Sequence, residues 1–171
     1  MANRELQWVT DVQINAHTSA VWAVIDDLSL IPRYHPEVEK VECLSGATKR
    51  AAGVAYKCII SEGPRKGWCV EKVVEYDPNR KMTVSFPEDS WGMSEMLKNF
   101  STELTIEPTV SGGTWVKLRA YYSPRDLKTR VANVLLIRHR MRKRAHRMLQ
   151  GLKQIVEEPQ LLTRPTDSIS Q

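Results

Sequence analysis

The residue with the most suggestive placement is Arg138, in the stretch LLIRHRMRKRAHRML of residues 135–149. At about 100° per residue, an apolar stripe on a helix through this stretch contains Val134, Met141, Ala145, Met148, Leu149, Leu152, Ile155 and Val156. Most of the cations lie outside this stripe, but Arg138 lies inside it. Its stem either covers apolar surface, or its guanidinium faces a cavity and holds a ligand's anionic group by a forked hydrogen bond.

Proton transfer would need a positioned acid or base, and the sequence offers tyrosines and one histidine for it. His35 in PRYHPEV, Tyr56 and Arg138 are the candidate catalytic residues, with Tyr34, Tyr122 and Glu71 as further candidates. A phenol or imidazole can donate a proton, and an arginine can polarise a carbonyl. A plain packing role is the alternative for His35.

Other kinds of catalytic site are not indicated. The sequence has no nucleophile elbow and no phosphate-binding loop. Cys43, Cys58 and Cys69 are odd in number and lack a CxxC spacing, so neither a disulfide framework nor a zinc site is suggested. We therefore predict no metal and no cofactor.

Length and composition favour one globular domain. The chain has 171 residues, 42% apolar and 26% charged, and no apolar run approaches the roughly 18 residues of a membrane span. The charged start MANRELQWVT lacks the apolar region of a secretory signal, so we expect a cytoplasmic protein.

The net charge of +5 belongs to one segment. Residues 128–153 hold nine Lys or Arg and no Asp or Glu, so the remainder carries 16 basic and 20 acidic residues, a net charge of −4. The high pI is therefore no argument for nucleic-acid binding by the whole fold.

Periodicity predicts an α+β element order. Residues 5–15 alternate as a half-buried strand does, and two short helices follow, the first capped by Thr18 or Ser19. Six strands separated by turn formers lie between Glu37 and Pro124, and successive strands with short links predict an antiparallel meander. A long helix then runs from about Asp126 to Glu158. We expect a domain over residues 1–158 and a disordered tail over residues 159–171.

Three motifs resemble the START-like helix-grip (SRPBCC) superfamily. They are the opening VQINAHTSAVWAVIDDLSLIPRYHPEVEKVECLSG, the hairpin VVEYDPNRKMTVSF and the strand end YYSP before a long helix. The superfamily includes bacterial polyketide cyclase/dehydrase and lipid-transport proteins and the birch-pollen-allergen-like proteins. The resemblance covers residues 5 to about 157. It implies a curved, seven-stranded antiparallel sheet wrapped around the C-terminal helix, with a hydrophobic cavity between them.

If such a cavity exists, alternation along the strands suggests which side chains form its walls. The predicted ligand-binding residues are Trp22, Tyr34, Tyr56, Trp68, Phe86, Phe100, Tyr122, Arg138 and Met141, with Cys58, Val70, Val84, Leu104, Leu118 and Ala145 also facing inward. A filled core is the alternative, and a one-residue register error would turn any strand inside out. Residues 87–100 are either a movable lid over the cavity or a loop packed on the sheet edge.

Three functions are compatible with these observations. The first is binding of a hydrophobic small molecule or lipid, and the second is a polyketide cyclase or aromatase activity on the same fold. The third is a lipid carrier that contacts anionic membranes through Arg140, Arg142, Lys143, Arg144 and Arg147. Nucleic acid is not an expected partner, because no base-stacking aromatic residue lies among these cations.

Overall fold

The computed structural model describes residues 5–162 and contains one seven-stranded antiparallel sheet. The strands are β1 Leu6–Ile14, β2 Val38–Cys43, β3 Ala55–Glu62, β4 Arg65–Asp77, β5 Lys81–Asp89, β6 Leu97–Pro108 and β7 Thr114–Pro124. Their order is β1-β7-β6-β5-β4-β3-β2, so β2 to β7 form a meander and β1 pairs with the last strand. The predicted strand number and topology are confirmed.

Short helices connect β1 to β2. These are α1 Thr18–Asp26, a 3-10 turn Leu28–Leu30 and α2 Ile31–Tyr34. The cap of α1 is His17, whose imidazole accepts a hydrogen bond from the Ser19 N–H, and not Thr18 or Ser19 as the sequence suggested. The predicted pair of short helices between the first two strands is confirmed.

The C-terminal helical segment is interrupted by a π-helical turn. This segment consists of α4 Leu127–Ala132, the π turn Asn133–Ile137 and α5 Arg138–Glu157. A separate one-turn helix, α3 Met93–Met96, lies between β5 and β6. A π turn has more residues per turn than an α-helix, so the stripe drawn at a constant angle does not continue across it. Val134 was predicted to face inward, but its side chain is 46% exposed.

Beyond the π turn the predicted stripe is confirmed. The buried residues of α5 are Ala145, Leu149, Leu152, Ile155 and Val156, and Met141 and Met148 pack against the same core. The helix α5 packs against β1, α1 and α2.

A glycine permits the close approach of α5 and α2. A β-carbon at Gly151 would overlap the backbone carbonyl of Tyr34. The sheet and these helices thus enclose one hydrophobic core.

The end of the described chain is ordered into a short turn. Pro159–Leu162, within the tail predicted to be disordered, form a 3-10 turn. Residues 163–171 of that tail lie outside the described residues. Within residues 5–162, no helix combines the length and apolar character that crossing a membrane requires.

Candidate functional site

A cavity of about 230 Å³ lies between the sheet and α5. Its apolar walls include Met82, Val84, Phe86, Phe100, Leu104 and Leu118 from the strands and Met141, Ala145, Met148 and Leu152 from α5. Side chains spaced two apart on β5 and β6 face it, as alternation along a strand requires. The side chains of the core therefore leave room for a small molecule.

Several residues predicted to bind ligand line this cavity. Tyr34, Phe86, Phe100 and Met141 all contribute to its walls, as does the candidate catalytic residue His35. Phe86 and Phe100 stack with their ring centroids 4.4 Å apart, which gives part of the wall a flat aromatic surface.

The structure corrects the register of β4. Trp68 and Val70 were predicted to face inward, but Cys69 and Glu71 line the cavity instead. Cys69 and Glu71 lie directly opposite buried residues of β3, and opposed residues of antiparallel strands share a face. The Trp68 ring packs instead under the ammonium of Lys57, 4.3 Å from the ring centroid to Nζ.

Three other predicted ligand-binding residues, on α1, β7 and α5, are not among those that line the cavity. Trp22 is buried and donates from Nε1 to the Tyr76 hydroxyl at 3.3 Å. Tyr122 is buried and donates to Asn133 Oδ1 at 2.7 Å. Arg138 is half-buried and acts electrostatically on Tyr122. Its proposed role as a ligand anchor therefore has no direct support from the cavity's geometry.

A buried arginine, missed by the sequence analysis, lies at one end of the cavity. Arg50 Nε donates to the Tyr56 hydroxyl at 2.9 Å, and Nη1 donates to the Tyr34 hydroxyl at 3.1 Å and to the Ile25 carbonyl. The Tyr56 hydroxyl in turn donates to Glu71 Oε2 at 2.6 Å. Tyr56, predicted to bind ligand, is fully buried and is not among the cavity-lining residues. We call Arg50, Tyr34, Tyr56 and Glu71 the arginine cluster.

The arginine cluster is poorly suited to proton transfer. Burial raises the pKa of Tyr56 well above its ordinary value and also raises the pKa of Tyr34. Burial opposes the charge on Arg50, yet the two phenols and Glu71 raise its pKa well above the ordinary value. The phenols therefore stay neutral and the guanidinium stays charged at physiological pH, so the candidate role of Tyr56 as a catalytic acid or base is not favoured.

His35 is the cavity-lining group whose proton could face a ligand. Burial and the nearby cation of Arg144 lower the pKa of His35 to about 4. The backbone N–H of Glu37 donates to His35 Nδ1 at 3.3 Å, so in the neutral ring we assign the proton to Nε2. The imidazole can then offer a neutral N–H donor.

This pKa predicts a loss of stability in acid. As pH falls below the ordinary value of 6.5, the unfolded chain protonates His35 first, while the folded protein resists protonation down to about pH 4. The free energy of unfolding should fall over that window by up to about 3 kcal/mol from this residue. Urea unfolding of the wild type and His35→Gln at several pH values measures it. His35→Gln should reduce the change of the free energy of unfolding with pH, and His139→Gln, at an exposed histidine, should not. The same pH dependence in all three proteins would contradict the assignment.

Three side chains near the arginine cluster could hold a metal ion. Among residues 5–162, the donor atoms of Cys58, Cys69 and Glu71 lie within 4.8 Å of one another. Hydrogen bonding already accounts for the carboxylate, which accepts from Tyr56 and from the Cys58 thiol at 3.6 Å. A hydrogen bond with Cys69 and burial raise the pKa of the Cys58 thiol, which favours its protonated form. Hydrogen bonds among Cys58, Cys69, Glu71 and Tyr56 therefore account for this group without a metal ion.

The segment of residues 87–100 is more regular than the sequence suggested. It comprises the end of β5, the one-turn helix α3 and the start of β6. The carboxylate of Asp89 accepts the backbone N–H groups of Trp91 at 2.8 Å and Ser94 at 2.6 Å. The Trp91 ring lies against β4, where a β-carbon at Gly67 would overlap it. Asp89, Trp91 and Ser94 line the cavity, so this segment covers part of it.

Trp8 is the second residue that the sequence analysis missed. It lines the cavity and is only 7% exposed, and its indole Nε1 has no hydrogen-bond partner of acceptable geometry among the described residues. The Tyr122 hydroxyl lies near it and is a weak acceptor for this N–H, while it donates its own proton to Asn133. The alternation of ELQWVTDVQIN places Trp8 on the same face as Val12 and Ile14, and this signal could have identified it.

The comparison with protein families agrees with this geometry. The family described as polyketide cyclase/dehydrase and lipid transport matches residues 6–157. The chain belongs to this family. Family membership supports ligand binding in general, within the fold that the sequence motifs had implied. No protein of curated function is similar enough in sequence to count as a relative.

Solved structures share the family's fold at low sequence identity. TTHA0849 from Thermus thermophilus is 19% identical with a TM-score of 0.67, covering 86% of this chain and 94% of its own. Ara h 8.0201 is 13% identical with a TM-score of 0.68, covering 90% and 98%. A point mutant of Thalictrum norcoclaurine synthase, in complex with a transition-state analogue, is 13% identical with a TM-score of 0.69, covering 94% and 99%. These likenesses show the helix-grip fold.

Proposed function

We propose that the protein binds a hydrophobic small molecule or lipid in the cavity between the sheet and α5. The observation that carries this proposal is the cavity itself, whose apolar wall includes the buried indole of Trp8 with no well-formed hydrogen bond at Nε1. A buried donor without an acceptor costs about 1–3 kcal/mol. A ligand with an oxygen acceptor would recover that energy and fill the apolar space.

The size of the cavity favours a compact ligand. Its volume of about 230 Å³ is below the roughly 300–1,000 Å³ of typical small-molecule pockets. A ring system of one or two fused rings suits the stacked phenyl groups of Phe86 and Phe100. A longer acyl chain would require the segment around Trp91 to move, which is the lid role proposed for residues 87–100.

The polar groups of the cavity favour a neutral ligand with a carbonyl or hydroxyl oxygen. Trp8 Nε1 and His35 Nε2 are both donors, and neither carries a charge near neutral pH. The carboxylate of Glu37 is paired with Arg144 at 3.0 Å. Arg50 and Glu71 offset each other through Tyr56, and the carboxylate of Asp89 accepts three backbone N–H groups. No unbalanced charge therefore demands an ionic ligand.

An enzyme of polyketide cyclase or aromatase type is the second candidate function. His35 favours it, because a neutral imidazole in the cavity wall could donate to or accept from a reacting carbonyl compound. Norcoclaurine synthase has the same fold, so this scaffold is compatible with catalysis. Arg138, which was considered as the group that polarises a carbonyl, would need a ligand that extends towards Tyr122.

A matched pair of probes tests the role of Trp8. Trp8→Phe should weaken binding of 1-tetralone by about 10-fold, because a net hydrogen bond contributes about 0.5–1.5 kcal/mol, and should leave binding of tetralin unchanged. Isothermal titration calorimetry measures both affinities.

The control is Trp115→Phe, at a tryptophan whose indole is bonded to Asp11 at 2.8 Å on the exposed side of the sheet. It should bind both probes as the wild type does. Equal losses for tetralin and 1-tetralone in Trp8→Phe would mean that Trp8 contributes shape alone. Failure of the wild type to bind either probe would count against a compact cyclic ligand.

A further inference from the structure

The helical segment before α5 exposes large apolar side chains to solvent. Leu127, Val131 and Leu135 recur every four residues and are 74%, 52% and 73% exposed. Val134 and Leu136 beside them are exposed by nearly half. Single exposed apolar residues are ordinary, but five within residues 127–136 mark a surface that contacts something apolar.

The same helical segment also carries several exposed cations. The exposed basic residues of the segment that make no ion pair within the described chain are Lys128, Arg130, Arg140, Arg142 and Lys143. No Asp or Glu occurs between residues 127 and 153 to neutralise them. The surface therefore combines exposed apolar side chains with uncompensated positive charge.

Two cations of the predicted basic face have a different role. Arg144 pairs with Glu37 at 3.0 Å and also with Glu62, and Arg147 pairs with the same Glu37. These ion pairs connect α5 to the start of β2 and the end of β3. The sequence grouped both arginines with the free cations, and the structure separates them.

The composition of the surface identifies the kind of partner. In a symmetric dimer the same cations would face each other without an acidic counterpart, which opposes a second copy of the chain. Nucleic acid would leave the exposed leucines without an apolar partner, and the segment offers no aromatic ring for base stacking. An anionic bilayer satisfies both features, because acyl chains accept the apolar residues and headgroups attract the cations.

We propose that residues 127–143 form a docking surface for membranes that contain anionic lipids. The surface includes the exposed apolar residues of α4 and the π turn and the free cations up to the first turns of α5. Met141, on the inward side of the same helix, lines the cavity, so the bound membrane would lie beside one end of that helix. Docking does not depend on the identity of the cavity's ligand, or on whether the cavity binds one.

Flotation with lipid vesicles tests the electrostatic half of the proposal. The wild type should float with vesicles of phosphatidylcholine containing about one third phosphatidylserine, far more weakly with pure phosphatidylcholine, and less as salt rises from about 50 to about 200 mM. Arg142→Glu/Lys143→Glu should reduce binding at least about 10-fold. The control Lys49→Glu/Lys72→Glu changes the net charge equally at exposed sites elsewhere, and should bind within about 2-fold of the wild type.

Replacing exposed apolar residues tests the other half. Val131→Ser/Leu135→Ser should fold normally, because both side chains are exposed, and should bind anionic vesicles about 10-fold more weakly. The proposal is overturned if the wild type does not bind, if the control charge variant loses binding equally, or if Val131→Ser/Leu135→Ser binds like the wild type. It is also overturned if ultracentrifugation shows a dimer that Val131→Ser/Leu135→Ser dissociates, because the apolar group would then serve a second copy.

Discussion

Replacing Arg50 with methionine should lower the free energy of unfolding by about 3–5 kcal/mol. The buried guanidinium donates to both phenols of the arginine cluster and to the Ile25 carbonyl. Methionine fills similar space but leaves the two phenols and the carbonyl without their donors. Removing one partner of a buried charged network costs more than the network itself contributes, because the remaining groups stay buried.

Chemical denaturation monitored by circular dichroism measures this effect. Lys49→Met, at the exposed neighbouring position, should change the free energy of unfolding by less than about 0.5 kcal/mol. Arg50→Lys should lose an intermediate amount of the free energy of unfolding, because an ammonium keeps the charge but cannot reproduce the forked geometry. A value for Arg50→Met within about 1 kcal/mol of the wild type would show that the cluster is not a cooperative unit.

Filling the cavity from the helix side should abolish ligand binding. Ala145 lies on α5, is 8% exposed and lines the cavity, so a phenyl ring in its place would occupy much of the space of about 230 Å³. We expect Ala145→Phe to weaken binding of 1-tetralone by at least about 50-fold, a change of more than about 2 kcal/mol. Isothermal titration calorimetry measures the loss.

The fold of this variant must be checked independently. A filled cavity should keep the melting temperature near or above that of the wild type, since apolar space gains a partner. If the ring proves too large and the protein unfolds, Ala145→Val makes the same test with less volume. Ala52→Phe, at an exposed alanine, should leave binding unchanged. Undiminished binding by a folded Ala145→Phe would place the ligand elsewhere.

The element order could be predicted because it depends on local patterns. Alternation and turn formers identified the strands, and a repeating apolar stripe identified α5, including the inward positions of Met141 and Ala145. The stripe failed at Val134, because a π turn changes the angle per residue and no local composition announces such a turn.

The candidate site was harder to predict because it depends on pairing between distant strands. The direction of Trp68 follows from which residue of β3 it opposes, and β4 also contains register shifts between Val70 and Lys72 and between Val73 and Glu75. Alternation within one strand does not reveal such shifts. The prediction of which alternate residues face the cavity was therefore correct for β5 and β6 but wrong for β4.

Arg50 could not be identified by any local rule. It lies between β2 and β3 in a stretch that turn composition correctly described as irregular. Its burial results from contacts with α1, α2 and β3, whose arrangement is a property of the whole fold. Isolated arginines in loops are usually exposed, so composition alone would assign it to the surface.

The most direct test of the central claim is native mass spectrometry of the gently purified wild type and Ala145→Phe, each incubated with 1-tetralone and a mixed fatty-acid pool. We predict that the wild type carries one apolar compound per chain, either co-purified or taken up, and that Ala145→Phe carries none. A wild type without any bound compound, or the same compound retained by a folded Ala145→Phe, would contradict ligand binding in this cavity.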